Sequence, residues 1–396
     1  MPAFTDSGIL KLNTASARKA LDRAYRMRGS VFMLGAPGVG KTGLVKAIAA
    51  QHNKACVVLS GSAYASTDLQ GLPFINNSSS VDNGEVRWSP PQFASAVRDG
   101  ILFLDEITSA GPNVQAVMLR LVLERRLDTF DLGDAWVIGA GNTGAQAAGY
   151  GELTAPMINR VSLFEFEPTL AEVVNGFRFG WGDGRTPFSW METEEDFAAV
   201  GMIATVIERT GLVIASSDLI ESGGPYHSPR SWEQAAHELA YIPLSDVTEL
   251  ENMLTYRVGR TAAAQALAVL GGDVLPYPSE VLANPHVVDS LPRLDQRTAA
   301  ISGGLSQGMF RDDIDGIVRI ATWLEEQPES DVAMSILRGF PAFYRQRIDS
   351  DPGALDVWTE VFTRLSSIPT PRLDRFRSLV TEEPTTSNSS STVEVA

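Results

Sequence analysis

The 396-residue sequence contains one cysteine, Cys56, so an internal disulfide is excluded. Cys56 lies in the apolar run from Lys54 to Leu59, where a buried strand thiol is the simplest interpretation. No stretch approaches the roughly 18 consecutive apolar residues that can span a bilayer, and the N-terminus lacks the basic-then-apolar pattern of a secretory signal. We therefore expect a protein of the reducing cytoplasm, without a membrane partner.

Positive charge is scarce in this chain. Lysine and arginine number 32 against 48 aspartates and glutamates, which gives a formal net charge of -16. An acidic surface repels phosphate backbones, and no cluster of Lys and Arg forms a local basic patch. The composition therefore argues against nucleic acid as a partner and favours solubility or a basic protein partner.

Several catalytic and binding patterns are also missing. No N-K-x-D sequence supports guanine specificity, and no Ser-His-Asp arrangement or C-x-x-C motif occurs. The four histidines, His52, His227, His237 and His286, lack the spacing of metal ligands. These absences exclude several hydrolase, redox and zinc-binding classes.

Strand, loop and helix patterns alternate over residues 10–168. Apolar runs predict strands at 31–34, 55–59, 101–104, 135–138 and 161–166, with helices at 15–27, 41–51 and 114–126. The stretch from Ser60 to Gly84 is rich in Gly, Ser and Asn and predicts loops, and packing is the favoured interpretation of Trp88. The alternation predicts a three-layer α/β domain with a parallel sheet.

Helical patterns dominate after Pro168. We predict helices at 194–210, 231–241 and 247–270, then a further helical region over about 278–376. The segment Ile301 to Gly308 (ISGGLSQG) resembles the signature of ABC-transporter ATPases. In those proteins the signature precedes an Asp-Glu pair at the end of a strand, whereas here it follows the pair Asp105-Glu106. A glycine-containing break between helices is its simplest interpretation. The polar residues 379–396 predict a disordered tail.

The segment Gly35 to Thr42 (GAPGVGKT) fits the phosphate-binding pattern G-x-x-x-x-G-K-[ST] in full. It lies between an apolar strand and a helix, the context that the motif requires. The backbone N–H groups of the loop can wrap a phosphate chain at the positive end of the helix dipole. Lys41 would neutralise the β- and γ-phosphates, and the Thr42 hydroxyl would ligate Mg²⁺. The predicted nucleotide-binding residues are Gly35, Ala36, Pro37, Gly38, Val39, Gly40, Lys41 and Thr42.

The second motif is Ile101 to Glu106 (ILFLDE), an apolar strand that ends in two carboxylates. Asp105 can reach the Mg²⁺ shell while Glu106 orients the attacking water. An acidic pair that only ends a strand is the alternative. Because a full phosphate-binding loop precedes the pair, the sequence predicts ATP hydrolysis with Asp105 as a metal ligand and Glu106 as the catalytic residue.

These motifs are followed by AGPNVQAVMLRLVLERRLDTF, WVIGAGNTG and LTAPMINRV. The order resembles that of MoxR-like and dynein-related AAA+ ATPases, closely over residues 30–165 and more loosely over 225–290. The resemblance implies a P-loop NTPase core with the AAA+ parallel sheet at 1–168 and a helical lid at 169–271. An accessory helical region at 272–378 and the tail at 379–396 complete the predicted organisation.

The resemblance also implies three further site residues. Asn142 matches sensor 1, which contacts the γ-phosphate or the lytic water, although the sequence Gly-Asn-Thr-Gly is also a good turn. Arg160 matches the arginine finger that reaches the nucleotide of a neighbouring subunit, but the family's phenylalanine is replaced by Val161, and a plain surface arginine is the alternative. Arg230 matches sensor 2, although Ser-Pro-Arg is also a common helix start.

The resemblance finally implies a function. We expect a homo-oligomeric ring, with a hexamer as the leading prediction, that hydrolyses ATP with Mg²⁺ at its subunit boundaries. The ring would remodel or mature a protein partner in the manner of a chaperone, and a von Willebrand A-domain protein is the partner that the resemblance implies. Two alternatives stay open: a nucleic-acid motor, and an assembly switch that binds ATP with little turnover.

Overall fold

The computed structural model describes residues 3–4, 8–76, 85–127, 129–143, 158–181, 188–271, 275–327 and 354–366. Its strands are β1 (Ala3–Phe4), β2 (Leu10–Leu12), β3 (Val31–Gly35), β4 (Cys56–Ser60), β5 (Leu72–Asn76), β6 (Glu85–Ser89), β7 (Ile101–Asp105), β8 (Arg126–Leu127), β9 (Phe130–Asp131), β10 (Trp136–Asn142) and β11 (Ser162–Phe166). Seven of them form one sheet in the order β1-β2-β11-β3-β10-β7-β4, parallel throughout except for the β1–β2 pair.

The central strands β3, β7 and β10 are almost entirely buried. Continuous apolar runs suit this position because a parallel sheet covered by helices has two buried faces. In the register, Gly35 of β3 pairs with Asn142 of β10, and Asp105 of β7 pairs with Ser60 of β4. The carboxyl ends of four neighbouring strands therefore meet along one edge of the sheet.

Helices cover both faces of this sheet. They are α1 (Thr14–Met27), α2 (Lys41–Gln51), α3 (Ser66–Gln70), α4 (Gln92–Ala96) and α5 (Pro112–Glu124). One apolar cluster joins α1 and α2 to Val31, Phe103 and Ile138, and a second joins α5 to Phe32 and Leu104. Two helical layers around a parallel sheet confirm the predicted three-layer α/β core.

Two local predictions for this core were wrong. The segment predicted as loops, from Ser60 to Gly84, contains α3 and β5. β5 pairs antiparallel with β6, which follows this segment and carries Trp88, and the Trp88 side chain is 41% exposed instead of packed. Cys56 is half-buried, not buried, because β4 is the edge strand of the sheet and is covered on fewer sides than β7. Partial burial still raises the pKa of its thiol.

The rest of the described chain is helical. Its helices are α6 (Leu170–Phe179), α7 (Glu194–Thr210), α8 (Ser217–Glu221), α9 (Pro229–Leu239), α10 (Val247–Val258), α11 (Arg260–Leu270), α12 (Pro278–Ala283), α13 (Leu294–Arg311), α14 (Ile314–Glu326) and α15 (Ala354–Ser366). The single helix predicted at 247–270 is divided at Gly259, whose φ of 87° is outside the helical region. A β-carbon there would lie 2.4 Å from the Pro225 carbonyl oxygen, so close packing also requires glycine.

The interpretation of Ile301–Gly308 as a helix break was also wrong. The segment lies inside α13, which is buried from Thr298 to Met309. Its glycines allow a close crossing with α7, because a β-carbon on Gly201 would lie 2.7 Å from the Gly303 backbone nitrogen. Tight contact with a neighbouring helix, not flexibility, explains the small residues. The tail predicted at 379–396 lies outside the described residues.

Candidate functional site

The phosphate-binding loop connects β3 to α2 at the edge where the strands end. Gly38 and Gly40 have φ angles of 74° and 102°, which only glycine adopts readily. The ammonium group of Lys41, the first residue of α2, donates hydrogen bonds to the carbonyl oxygens of Gly35 at 2.9 Å and Ala36 at 3.2 Å. The loop therefore curls around its own lysine at the N-terminus of a helix, where anions are favoured.

Lys41 is an unusual lysine because it is buried. Loss of water around the ammonium, the largest effect, lowers the pKa of Lys41 from 10.5 to about 8. The carboxylates of Asp105 and Glu106 act against this shift, and the guanidinium of Arg230 adds to it. A cation held in this way at the N-terminus of α2 is suited to neutralise a phosphate chain.

Thr42 and Asp105 form the next pair of the site. The Thr42 hydroxyl donates a hydrogen bond of 2.8 Å to Asp105 Oδ2, across the boundary between α2 and β7. The other carboxylate oxygen, Oδ1, accepts the backbone N–H of Glu106 at 2.9 Å. Two hard oxygen ligands are thus already adjacent, as a site for Mg²⁺ requires.

Glu106 follows β7 in a left-handed backbone conformation with φ of 56°. Its Oε2 accepts hydrogen bonds from the hydroxyls of Ser60 at 2.6 Å and Ser62 at 2.7 Å. These two bonds are the main reason why the pKa of Glu106 lies below its ordinary value. The carboxyl group therefore stays ionised and held in one place, as a group that orients water must be.

Asn142 ends β10, directly beside the phosphate-binding loop. Its Oδ1 accepts a hydrogen bond of 2.9 Å from the Lys41 ammonium, and its backbone N–H donates to Thr108 Oγ1 at 2.9 Å. Thr108 belongs to the 3₁₀ turn Ile107–Ser109 that follows Glu106. Asn142 is thus hydrogen-bonded to Lys41 of the phosphate-binding loop and to Thr108 in the turn after the acidic pair.

Arg230 belongs to the helical region but lies at the same site. It is the second residue of α9, whose N-terminus is capped by Ser228 and Ser231. The Arg230 backbone N–H donates a hydrogen bond of 3.2 Å to the carbonyl oxygen of Gly38 in the phosphate-binding loop. The start of α9 therefore rests on this loop, and the Arg230 side chain lines the same cavity.

The residues above surround one cavity of about 550 Å³. Sequence reasoning placed Lys41, Thr42, Asp105, Glu106, Asn142 and Arg230 here, together with Pro37, Gly38, Val39 and Gly40, and all ten line it. Gly35 and Ala36 belong to the same loop through their bonds to Lys41. Arg160 lines another, exposed surface beyond this cavity, at the turn before β11.

Other residues of the cavity were missed by sequence reasoning. They include Thr14 and Arg18 of α1, the aromatic residues Trp181 and Phe188, and Glu233 of α9. None belongs to a short motif, because these residues come from three distant parts of the chain. The two serines that bind Glu106 could have been found, since Ser60 ends the strand next to Asp105.

The parallel sheet, the phosphate-binding loop and the acidic pair define a P-loop nucleotide-binding core. Residues 30–147 match the family model of the AAA domain, dynein-related subfamily. Protein MoxR of Methylorubrum extorquens is 30% identical over 125 residues, which are 30% of this chain and 35% of MoxR. This segment is therefore similar to AAA domains of the dynein-related subfamily, and the predicted resemblance to MoxR-like AAA+ ATPases is confirmed. The chain matches only about a third of the length of this curated relative.

Solved structures are also similar to this chain. A RuvB mutant of Thermotoga maritima has a TM-score of 0.35 and 15% identity, covering 73% of this chain and 80% of that chain. NtrX of Brucella abortus in complex with ATP has a TM-score of 0.32 and 13% identity, covering 78% of this chain and 67% of that chain. TM-scores of this size support no conclusion about function. In the described part of the chain, no helix is long and apolar enough to cross a membrane.

Proposed function

We propose that this chain binds ATP with Mg²⁺ in the cavity lined by the phosphate-binding loop and hydrolyses the bound ATP. One observation carries the proposal: Lys41, Asn142, Thr42 and Asp105 form two hydrogen-bonded pairs at adjacent strand ends, with Glu106 beside them. Lys41 neutralises the β- and γ-phosphates, and Asn142 contacts the γ-phosphate or the attacking water. Glu106 orients that water, and Arg230 responds to the γ-phosphate from the lid.

The donor set of the site fits Mg²⁺. Thr42 and Asp105 supply one hydroxyl and one carboxylate, and Mg²⁺ in phosphoryl-transfer sites takes its remaining ligands from phosphates and water. Within the described ranges, no group of three or more His, Cys, Asp and Glu side chains could hold a metal ion. A Mg²⁺ site that takes its remaining ligands from the nucleotide and water does not require such a group. When bound, the ion would neutralise charge on the β- and γ-phosphates.

We propose further that the chain works as a homo-oligomeric ring, with a hexamer as the expected size. Arg160 supports this proposal, because it is exposed at the turn before β11 and lies outside the cavity of its own chain. An arginine in that position is available to the nucleotide of a neighbouring subunit, where it would stabilise charge in the transition state. The Arg160 side chain then completes a site that one chain leaves incomplete.

A mixing experiment tests hydrolysis and the ring together. Arg160→Ala and Glu106→Gln rings should each be almost inactive, for different reasons. After subunit exchange, an Arg160→Ala subunit retains Glu106 and can receive Arg160 from a Glu106→Gln neighbour, so the mixture should recover part of the wild-type turnover. Light scattering with and without ATP measures the ring size. A mixture as inactive as its two components would contradict an arginine that acts between subunits.

The proposed action of the ring is to remodel or mature a protein partner, with a von Willebrand A-domain protein as the first candidate. The formal net charge of -16 supports a protein partner over nucleic acid. Capture with the Glu106→Gln ring in ATP, followed by mass spectrometry, tests this choice. A protein recovered only with ATP supports it. Recovered nucleic acid, with DNA stimulation of wild-type turnover, would replace it with a nucleic-acid motor.

A further inference from the structure

The lid side of the cavity carries a carboxylate that the phosphate chemistry does not use. Glu233 lies three residues after Arg230 on α9, so both side chains are on the same face of the helix. Glu233 is half-buried and lines the same cavity as the phosphate-binding loop. A carboxylate in a cavity built for an anionic phosphate chain needs an explanation, because it repels that chain.

Aromatic side chains fix the surroundings of this carboxylate. The side chain of Trp190 is close enough to Glu233 to act on its carboxyl group, and it lowers the pKa of that group. Trp190 is itself held by stacking between two rings, with centroid distances of 5.6 Å to Phe188 and 4.2 Å to His237. Phe188 also lines the cavity, as does Trp181. The lid wall around Glu233 therefore combines flat apolar rings with one hydrogen-bond acceptor, a combination suited to a nucleoside.

The two ends of the cavity differ in their charges, although Arg230 acts on both. The other charges that act on Lys41, at the phosphate end, are those of Asp105 and Glu106. The other charge that acts on Glu233 is that of His237, and among the described residues Glu233 forms no ion pair. Partial burial, the largest effect, raises the pKa of Glu233, since lost water is only partly replaced. A carboxylate can accept about four hydrogen bonds, so Glu233 has acceptor positions for a ligand.

We propose that Glu233 is a specificity-determining residue that accepts a hydrogen bond from the nucleoside of the bound ATP. This inference rests on the proposed ATP site and adds the group that reads the nucleoside. The donors that ATP can offer are the exocyclic amine of adenine and the hydroxyls of ribose. A base with a carbonyl in place of that amine would be repelled, and a sugar without the hydroxyl would leave the carboxylate unpaired.

The same carboxylate could instead act only by orienting Arg230. The two roles predict different results, because Arg230 is assigned to the γ-phosphate and ADP has none. A contact with the nucleoside weakens ATP and ADP equally when it is lost. An effect through Arg230 weakens ATP alone.

Calorimetric titration of the full chain tests the proposal with ATP, ADP, inosine triphosphate and the 2′-deoxy and 3′-deoxy forms of ATP. The wild type should prefer ATP roughly ten-fold over the analogue that lacks the recognised donor. Glu233→Ala should lose roughly ten-fold in affinity for both ATP and ADP and no longer discriminate against that analogue. Glu233→Gln, which keeps one acceptor and the side-chain shape, should lose less. Glu251→Gln, on the exposed surface of α10, is the matched control.

Loss of discrimination against inosine triphosphate would assign the contact to the base, and loss against a deoxy analogue would assign it to the sugar. Discrimination retained by Glu233→Ala, or a loss confined to ATP, would overturn the inference while the ATP site stands. A wild-type chain that binds no ATP would overturn the proposed function together with the inference.

Discussion

In the α/β core, the side chains of Asp105 and Asn142 reach the cavity from the ends of neighbouring strands, whereas in the helical region α7 and α13 make a close contact between their backbones. Asp105 and Asn142 stand where they do because parallel strands end at one edge. Gly201 and Gly303 are found together because neither has a side chain. Strand pairing therefore positions the reactive side chains of the core. In the helical region, α7 and α13 pack closely because their glycines have no side chains.

The largest effect should come from removing charge at the phosphate-binding loop. Lys41→Ala should weaken ATP binding about 100-fold, because a buried cation no longer faces the phosphates. The folded structure should survive, since a buried ammonium is held there at a cost in desolvation. Titration calorimetry and thermal unfolding measure the two properties, with the exposed Lys19→Ala of α1 as the control. Equal ATP affinity in both variants would show that the loop does not bind phosphate.

In the helical region, we expect a substitution to lower the stability of the fold and to leave ATP affinity unchanged. Gly201→Ala places a β-carbon 2.7 Å from the Gly303 nitrogen and 2.8 Å from the Ala299 carbonyl oxygen, so the two helices must move apart. We expect the free energy of unfolding to fall by about 1–3 kcal/mol, measured by urea denaturation. ATP affinity of the folded protein should stay close to that of the wild type.

Gly224→Ala is the control for this substitution, because no atom lies within 4 Å of its added β-carbon. If Gly201→Ala and Gly224→Ala had the same free energy of unfolding, α7 and α13 would not be in close contact.

The smallest effect concerns His227, just before α9, at the junction of the two regions. Burial lowers the pKa of His227, and its Nδ1 has no hydrogen-bond partner among the described residues. The unfolded chain therefore takes up a proton near pH 6.5 that the folded chain resists, so stability should fall as the pH is lowered from 7 to about 5.5. Urea denaturation at several pH values measures this slope.

His227→Gln should flatten the slope in this pH range. A slope that is the same in the wild type and in His227→Gln would mean that His227 is protonated equally in the folded and unfolded chain.

The sequence allowed the core and most of its site to be predicted because both are encoded locally. The loop Gly35–Thr42 and the strand Ile101–Asp105 carry their chemistry in consecutive residues, and parallel strands bring their ends together. Glu233 was missed because only the docking of α9 places it at the cavity. Ser60, which binds Glu106, was missed although it ends β4 beside Asp105. The glycines of α13 were misinterpreted because tight helix packing and helix breaks use the same residue. The roles of Asn142, Arg160 and Arg230 stay predictions.

The most direct test of ATP hydrolysis at this site compares ATP binding with ATP turnover in the wild type and in Glu106→Gln. The substitution keeps the size of the side chain and removes its charge, while Lys41, Thr42 and Asp105 are unchanged. In Glu106→Gln, ATP affinity should stay within a few-fold of the wild-type value, and turnover should fall about 100-fold or more. Wild-type turnover in Glu106→Gln would contradict hydrolysis through Glu106, because this residue would then have no part in the reaction.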